Sequence, residues 1–389
     1  MEKFKFYNPT RIHFGAGEMN NLGEIVSKYG TKCLLVTTTN KEDVLRPLYD
    51  RVKNILSESG VEAIHFDEVV PNPTVQVIEK AISIVKSEGV NSVLAVGGGS
   101  SMDTAKSIAL FYQPEKVDWD SAYRDFTSPF AAYKPVSDPV LPIITVPTTA
   151  GTGSELTQAM IISDETTEEK VCIFHDRVFP TEAIIDVELT YTMPRRLTAM
   201  TGFDAFSHAF ESYVRDEASP YTKLIGKEAM SRIIDALPKL MDDPKNVELR
   251  EQMSISEMFA GISLSNAAAT VPHPLSEVIG GIAPQIPHGQ ALACLYPAFV
   301  RFQINKTSKK CAEIARLFDA SLSDKNDSEA AKKLPMLIES FLDELGLKKT
   351  LTQLGVTEED KEKMVCHFLL GVLPFGTKDE LTNILKGAF

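Results

Sequence analysis

The sequence predicts an α/β domain followed by an all-helical domain, on three observations. Strand-like and helix-like stretches alternate through the first half, the rhythm of a largely parallel sheet covered by helices. Two loops rich in glycine and hydroxyl groups each follow a strand-like run. After about Leu189 the strand signals fade and helical periodicity takes over. In a chain of 389 residues the expected units are therefore 1–189 and 190–389, at about 100–200 residues per domain.

The elements justify this in order. Residues 33–37 (CLLVT) read as a short buried strand, and residues 45–56 have helical periodicity. Residues 63–70 predict another strand, ended by the turn signal Pro71-Asn72-Pro73. Thr74 is placed to cap a helix to about Ser87, with Val77, Ile78, Ala81 and Ile84 on its apolar face. Residues 92–96 (SVLAV) are the clearest strand and run into Gly97-Gly98-Gly99-Ser100-Ser101, with a helix expected over 102–111. Residues 143–146 repeat the strand-to-loop pattern, and residues 184–186 are expected to close the sheet. Residues 119–139 read as a long connection. Helices are expected over 196–213, 221–240, 247–264, 305–317 and 328–345, with the domain boundary at 190–194. The charge runs 164–170 and 358–363 read as solvated faces or loops.

Composition narrows the function. Fifty-three acidic against 40 basic residues give a formal charge of −13, a field that disfavours nucleic-acid binding. No apolar run approaches the ~18 residues of a membrane span, and the N-terminal MEKFKFYNPTRIHFGAG lacks the features of a secretory signal. The cysteines Cys33, Cys172, Cys294, Cys311 and Cys366 form no CxxC pair, which points to a reducing cytoplasm. A homodimer is the expected assembly.

The first loop, Gly97 to Asp103, offers backbone that a ligand can approach closely and amides at a helix start that hold phosphate. Asp103 is suited to satisfying amides or a ribose hydroxyl. The spacing is neither GxGxxG nor a Walker loop, and a tight structural turn is the alternative. The second loop, PTTAGTGSE at 147–155, also follows a strand, and open parallel sheets bind ligands at the carboxyl ends of their strands. Lys170 is a candidate for a ribose or phosphate contact, with a plain surface lysine as the alternative. Asp204 and His208 are one helical turn apart on one face, and His273 and His288 follow among small and apolar residues. One carboxylate and three imidazoles suit a divalent transition metal; a buried Asp–His pair with two unrelated histidines is the competing reading. Such a metal polarises an alcohol or aldehyde oxygen while hydride moves between the substrate carbon and a nicotinamide.

The ensemble of residues 6–15 (FYNPTRIHFG), GGGSSMDTAK at 97–106, PTTAGTGSE at 147–155, the Asp204/His208 stretch and Pro287-His288-Gly289 resembles the iron-containing, group III alcohol dehydrogenase family over essentially the whole chain. The resemblance implies a Rossmann-like N-terminal domain and a helical C-terminal domain, a dehydroquinate-synthase-like fold. It implies a metal-dependent NAD(P)-linked alcohol dehydrogenase or aldehyde reductase acting on a small alcohol or aldehyde. It further implies that Gly97, Gly98, Gly99, Ser100 and Asp103 contact the dinucleotide with Thr148 and Thr149 nearby, and that Asp204, His208, His273 and His288 bind the metal. Fe²⁺ is common in the family, and Zn²⁺ or another divalent ion also occurs.

Three departures from the family pattern stand out. The interval from His273 to His288 is one residue longer than usual, which a loop insertion between Gly280 and Gln285 explains. Glu277 stands where many members carry a histidine; a role in proton transfer or in orienting a ligand competes with a salt bridge or a solvent-facing position. Thr38 stands near the end of the first nucleotide-binding strand, where NAD-dependent members carry an acid. It removes the repulsion against a 2′-phosphate, so NADP is credible beside NAD, with Lys41 either assisting a phosphate or solubilising the turn. The alternatives are a lyase or synthase of the wider dehydroquinate-synthase-like superfamily, and a catalytically silent metal- or nucleotide-binding scaffold.

Overall fold

The computed structural model describes residues 3–39, 44–137, 139–164, 167 and 169–389. Its strands are Arg11–Phe14 (β1), Lys32–Thr38 (β2), Glu62–Val69 (β3), Ser92–Gly97 (β4), Ile143–Pro147 (β5), Ala159–Asp164 (β6), Glu169–Phe174 (β7) and Glu182–Ile185 (β8). Six of them form one parallel sheet in the order β1-β8-β5-β4-β2-β3, while β6 and β7 make a separate antiparallel hairpin. The central strands read as unbroken apolar runs because both sheet faces are covered. Leu34, Val36, Val93, Ala95 and Ile143 enter one core, whereas Cys33, Leu35, Leu94, Val96, Ile144 and Val146 enter the other. Alternate residues thus point to opposite faces. The helices of this unit are Leu22–Ser27 (α1), Arg46–Glu58 (α2), Val75–Glu88 (α3), Gly99–Phe111 (α4) and Trp119–Asp125 (α5). Thr74 caps α3 as expected, its hydroxyl accepting from Val77 N at 3.4 Å.

β8, with residues 184 and 185, is the last strand of the sheet in chain order, as expected, but it lies inside the sheet and β1 forms the edge. The sequence hides β1 because it is four residues long and carries no apolar run. It is fixed instead by charge: Arg11 Nη1 and His13 Nε2 approach the two oxygens of buried Glu182 at 2.9 and 2.8 Å, and Tyr29 Oη donates at 2.6 Å. The connection over 119–139 contains α5, capped by Asp118 accepting from Ser121 N. In the run 164–170, Asp164 ends β6 and Glu169 and Lys170 begin β7, with Asp164 opposite Glu169. The helix after the glycines begins at Gly99, so Ser100 and Ser101 form its first turn.

The second unit is helical: Arg195–Val214 (α6), Pro220–Asp242 (α7), Val247–Ala267 (α8), Pro272–Ile282 (α9), His288–Phe318 (α10), Asp327–Ala331 (α11), Leu334–Glu344 (α12), Glu358–Cys366 (α13) and Lys378–Lys386 (α14). From Gly202 to Val214 every residue of α6 is buried, the signature of a helix enclosed on all sides. Phe203, Phe206 and Phe210 anchor it in an aromatic cluster with Tyr296, Phe299 and Phe341. The helix expected over 305–317 is the second half of α10, which breaks helical geometry at Thr307 (φ −139°, ψ 58°). The stretch 328–345 divides into α11 and α12, and the charge run 358–363 lies on α13, whose start carries a capping box between Thr357 and Asp360.

The α/β unit comprises Tyr7–Thr190 and the helical unit Tyr191–Phe389 together with the described residues 3–6. The N-terminal residues therefore leave the α/β unit to which the expected boundary assigned them. Phe6 packs edge-on against Tyr221 with ring centroids 4.6 Å apart, which accounts for the transfer. All five cysteines are free. Among the described residues no helix is long and apolar enough to cross a membrane.

Candidate metal centre and nucleotide-binding loops

Asp204 and His208 sit one turn apart on the buried core of α6, His273 on the first turn of α9, and His288 at the first position of α10. The helices bring the three imidazoles to one carboxylate oxygen. His208 Nε2, His273 Nε2 and His288 Nε2 each lie 3.5 Å from the same oxygen, Asp204 Oδ1. That separation is too long for a good hydrogen bond, and Asp204 Oδ1 and His273 Nε2 have no hydrogen-bond partner. Ligand bonds of about 2.1 Å at tetrahedral angles put donor atoms about 3.4 Å apart. Each carboxylate–imidazole spacing is thus that of two neighbouring ligands on one cation. Candidate donor atoms of Asp204, His273 and His288 lie within 4.8 Å of one another, and the His208 ring stacks on His273 with centroids 4.5 Å apart. Asp204 and His208 are buried, while the His288 side chain is 26% exposed, so the centre opens on the His288 side.

The electrostatics agree. Burial pushes the Asp204 carboxyl upward, but the imidazoles of His208, His288 and His273 hold it well below the usual carboxylate range. Burial opposes a charge on His273, yet Glu211 and Asp204 on either side push it up to about 10.

The partners of these imidazoles are residues that the sequence did not single out. His273 Nδ1 is 2.7 Å from Glu211 Oε1, and His288 Nδ1 is 3.2 Å from Ser276 Oγ. The available signal for Glu211 was an acid within the otherwise apolar and small-residue face of α6, three residues after His208. Ser276 had none. Glu277 is buried, which removes the solvent-facing alternative; its Oε1 lies 3.8 Å from His288 Nδ1. Between His273 and His288, α9 ends at Ile282, and residues 283–287 link it to α10.

The α/β unit supplies the second set. Gly97 at the end of β4 pairs in register with Pro147 at the end of β5, and Thr148 N donates to Gly97 O at 3.0 Å. The two loops therefore leave the sheet side by side at its carboxyl edge. Thr38 ends β2, the neighbouring strand. The chain reverses its direction of growth across the sheet between β2 and β4, where such sheets bind ligands. The glycines are needed for close packing: a Cβ on Gly97 would fall 2.3 Å from Ser101 Oγ, and one on Gly99 2.9 Å from Thr152 Cγ2. A Cβ on Gly98 would meet Thr149 Oγ1 at 3.3 Å. Ser101 Oγ and Thr149 Oγ1 are buried without a hydrogen-bond partner, polar atoms left over beside the glycines.

Asp103 takes the amide alternative. Its buried carboxylate accepts from Ser154 Oγ at 2.8 Å and Ile161 N at 3.1 Å, and burial raises its pKa. The same Ser154 Oγ accepts from Lys106 Nζ at 2.8 Å, and that ammonium also donates to Thr157 Oγ1 and Ala159 O. Burial pushes Lys106 down to about 8. This chain ties the glycine-loop helix to the second loop. Thr38 Oγ1 is hydrogen-bonded with Tyr49 Oη at 2.8 Å. Lys170 sits on β7 opposite Ser163, and Lys41 lies outside the described residues.

Two family models cover the chain: iron-containing alcohol dehydrogenase matches residues 9–187, and the C-terminal model of the Fe-containing alcohol dehydrogenase family matches residues 198–388. The chain is 33% identical to a choline dehydrogenase of Bacillus subtilis, with 98% of this chain and 93% of that one covered. It is 30% identical to an NAD-dependent methanol dehydrogenase of Bacillus methanolicus, with 98% and 99% covered. Among solved structures, an archaeal halo-thermophilic alcohol dehydrogenase from a Red Sea brine pool superposes with a TM-score of 0.91 at 32% identity over the full length of both chains.

Proposed function

The chain belongs to the iron-containing alcohol dehydrogenase family, and from that premise we propose how its own residues divide the work of a metal-dependent, NAD(P)-linked alcohol and aldehyde oxidoreductase. The observation that carries the reading is the approach of three imidazole nitrogens to one carboxylate oxygen at 3.5 Å each. The ligand set is Asp204, His208, His273 and His288. A divalent ion held there, iron or zinc, supplies Lewis acidity toward the substrate oxygen, and a bound nicotinamide gives or takes the hydride. Asp204 contributes negative charge that offsets a cation in a buried place. The burial of Asp204 and His208 keeps bulk water from that side, leaving the more exposed His288 side for a small alcohol or aldehyde. Glu277, with Oε1 3.8 Å from His288 Nδ1, supports the orientation of that ring.

For the cofactor, Gly97, Gly98, Gly99 and Ser100 present backbone to the pyrophosphate at the start of α4, with Thr148 and Thr149 hydroxyls beside them. Asp103 acts from behind, by holding the second loop through Ser154. Thr38 faces the adenosine ribose end and tolerates a 2′-phosphate; Lys170 is assigned to the ribose or phosphate. The relatives' substrates, choline and methanol, bracket the class of small primary alcohols. A cytoplasmic homodimer completes the reading, supported by five free cysteines and by an edge strand, β1, at which a second copy can add.

The test is a panel of alcohols and aldehydes run with NAD and NADP on protein loaded separately with Fe²⁺ and Zn²⁺, with His288→Ala alongside. Turnover that depends on the metal and collapses in the variant is expected. Wild-type metal content and turnover in His288→Ala would remove it from the ligand set, and sedimentation as a monomer would remove the dimer.

A further inference from the structure

Glu211 is fully buried and holds two partners at once. Its Oε1 is 2.7 Å from His273 Nδ1, and its Oε2 accepts from Thr270 N at 2.9 Å. Thr270 belongs to the short link between α8 and α9. The link begins at Ala268, whose φ of 62° and ψ of 170° are a conformation that side chains other than glycine rarely adopt. The last turns of α6 hold this link residue by residue. Ser212 Oγ donates to Ala268 O at 3.4 Å, Arg215 Nη1 to Ala269 O at 3.0 Å, and Glu211 receives Thr270 N. His273 follows three residues later.

We propose that Glu211 is a positioning residue that selects the metal-binding tautomer of His273 and pins the strained link that delivers it. A carboxylate has no proton to donate, so the hydrogen of a neutral His273 must sit on Nδ1, which leaves the Nε2 electron pair aimed toward Asp204. Ser276 performs the matching task for His288. Its one hydroxyl hydrogen goes to His273 O at 2.7 Å, so it can only accept from His288 Nδ1. Glu211 differs in carrying charge. With Asp204 it brings two negative charges to a buried site meant for a divalent ion, which makes the assembly formally neutral.

The proposal rests on His273 being a ligand, and the experiment separates the two claims. Glu211→Gln has nearly the same volume but only one acceptor oxygen for two N–H groups. An amide nitrogen turned toward His273 moves the ring hydrogen to Nε2, where a cation would bind. Holoenzyme of wild type, Glu211→Gln, Glu211→Asp and His273→Ala is equilibrated against a graded chelator and its Fe²⁺ or Zn²⁺ content measured. Ring ¹⁵N shifts of histidine-labelled protein under saturating Zn²⁺ report which nitrogen of neutral His273 keeps its hydrogen. Glu211→Gln is expected to hold metal about 10–100-fold more weakly, with an unchanged far-UV spectrum and His273 hydrogen shifted to Nε2. Wild-type metal retention, or an unchanged tautomer, overturns the proposal. Should Glu211→Gln not fold, Glu211→Asp decides: its carboxylate is drawn back by one methylene, and retention equal to wild type overturns the role. Metal kept in His273→Ala defeats the ligand assignment itself, whereas metal lost there but kept in Glu211→Gln defeats only the role of Glu211.

Discussion

Adding one methyl group at Gly289 should loosen the metal centre without touching a ligand. Gly289 follows His288 on α10 and packs against α6 at Met200, one helical turn before Asp204. An alanine Cβ there would fall 2.3 Å from Met200 O and 2.8 Å from its carbonyl carbon. Carbon–oxygen contacts normally lie at about 3.3–3.6 Å, so the two backbones must separate by about 1 Å. Neither neighbour is a flexible side-chain end, so the strain falls on the helices. Overpacking of this kind costs about 1–3 kcal/mol, which at about 2.1 cal/mol/K of unfolding entropy per residue lowers Tm by about 1–4 °C for a chain of 389 residues. The same displacement acts on the 3.5 Å spacing between Asp204 Oδ1 and His288 Nε2. Metal–ligand distances tolerate about 0.2 Å, so a 1 Å shift should weaken metal binding by an order of magnitude or more. Thermal unfolding of metal-stripped protein reads the packing cost, and metal content after graded chelation reads the site. Wild-type values in both would refute the reasoning. A lowered Tm with unchanged metal retention would refute only its transmission to His288.

Thr38→Asp should shift the ratio of kcat/KM values toward NAD by about tenfold or more, since a carboxylate meets the 2′-phosphate as a like charge; an unchanged ratio would reject the role of Thr38. Lys106→Met should destabilise the α/β unit by about 3–5 kcal/mol, because it leaves buried Asp103 without its nearby cation; denaturant unfolding measures this, and a loss under ~1 kcal/mol would contradict it. Burial pushes Glu182 up, but Tyr29, His13 and Arg11 hold its folded-state pKa below the ordinary value of 4.5. The stability it contributes is therefore present above that value and lost as pH falls through the folded pKa. Glu182→Gln should flatten the fall of Tm between about pH 5 and pH 3, and an identical slope in the variant would count against the network. Chelation of the wild-type protein should lower Tm and abolish turnover together, with Fe²⁺ or Zn²⁺ restoring both.

The sheet was legible where burial on both faces imposed continuous apolar runs, as in residues 33–37, 92–96 and 143–146. It was illegible where polar contacts do the holding. β1 has no apolar run and is fixed by bonds to Glu182, a residue far away in sequence. Helices α9, α13 and α14 escaped for a related reason: they are short, and α9 mixes glycine and proline with its apolar residues. The glycine loop was legible as a backbone feature, but the direction of Asp103 was not. That side chain turns to Ser154 and Ile161 because β6 packs beside α4, a contact no local pattern announces.

By itself the sequence determined the order of an α/β half and a helical half, the two loops after strands, and the ligand candidates Asp204, His208, His273 and His288. Periodicity and residue chemistry are local, so they can be read along a chain. The tertiary structure alone decided that three imidazole nitrogens meet one carboxylate oxygen at equal distance. It also decided that Glu211 and Ser276 stand behind His273 and His288, and that Gly289 is small because Met200 presses against it. Those facts belong to the packing of α6, α9 and α10 against one another. Distances between helices are set by many side chains at once, and no spacing in a single stretch records them.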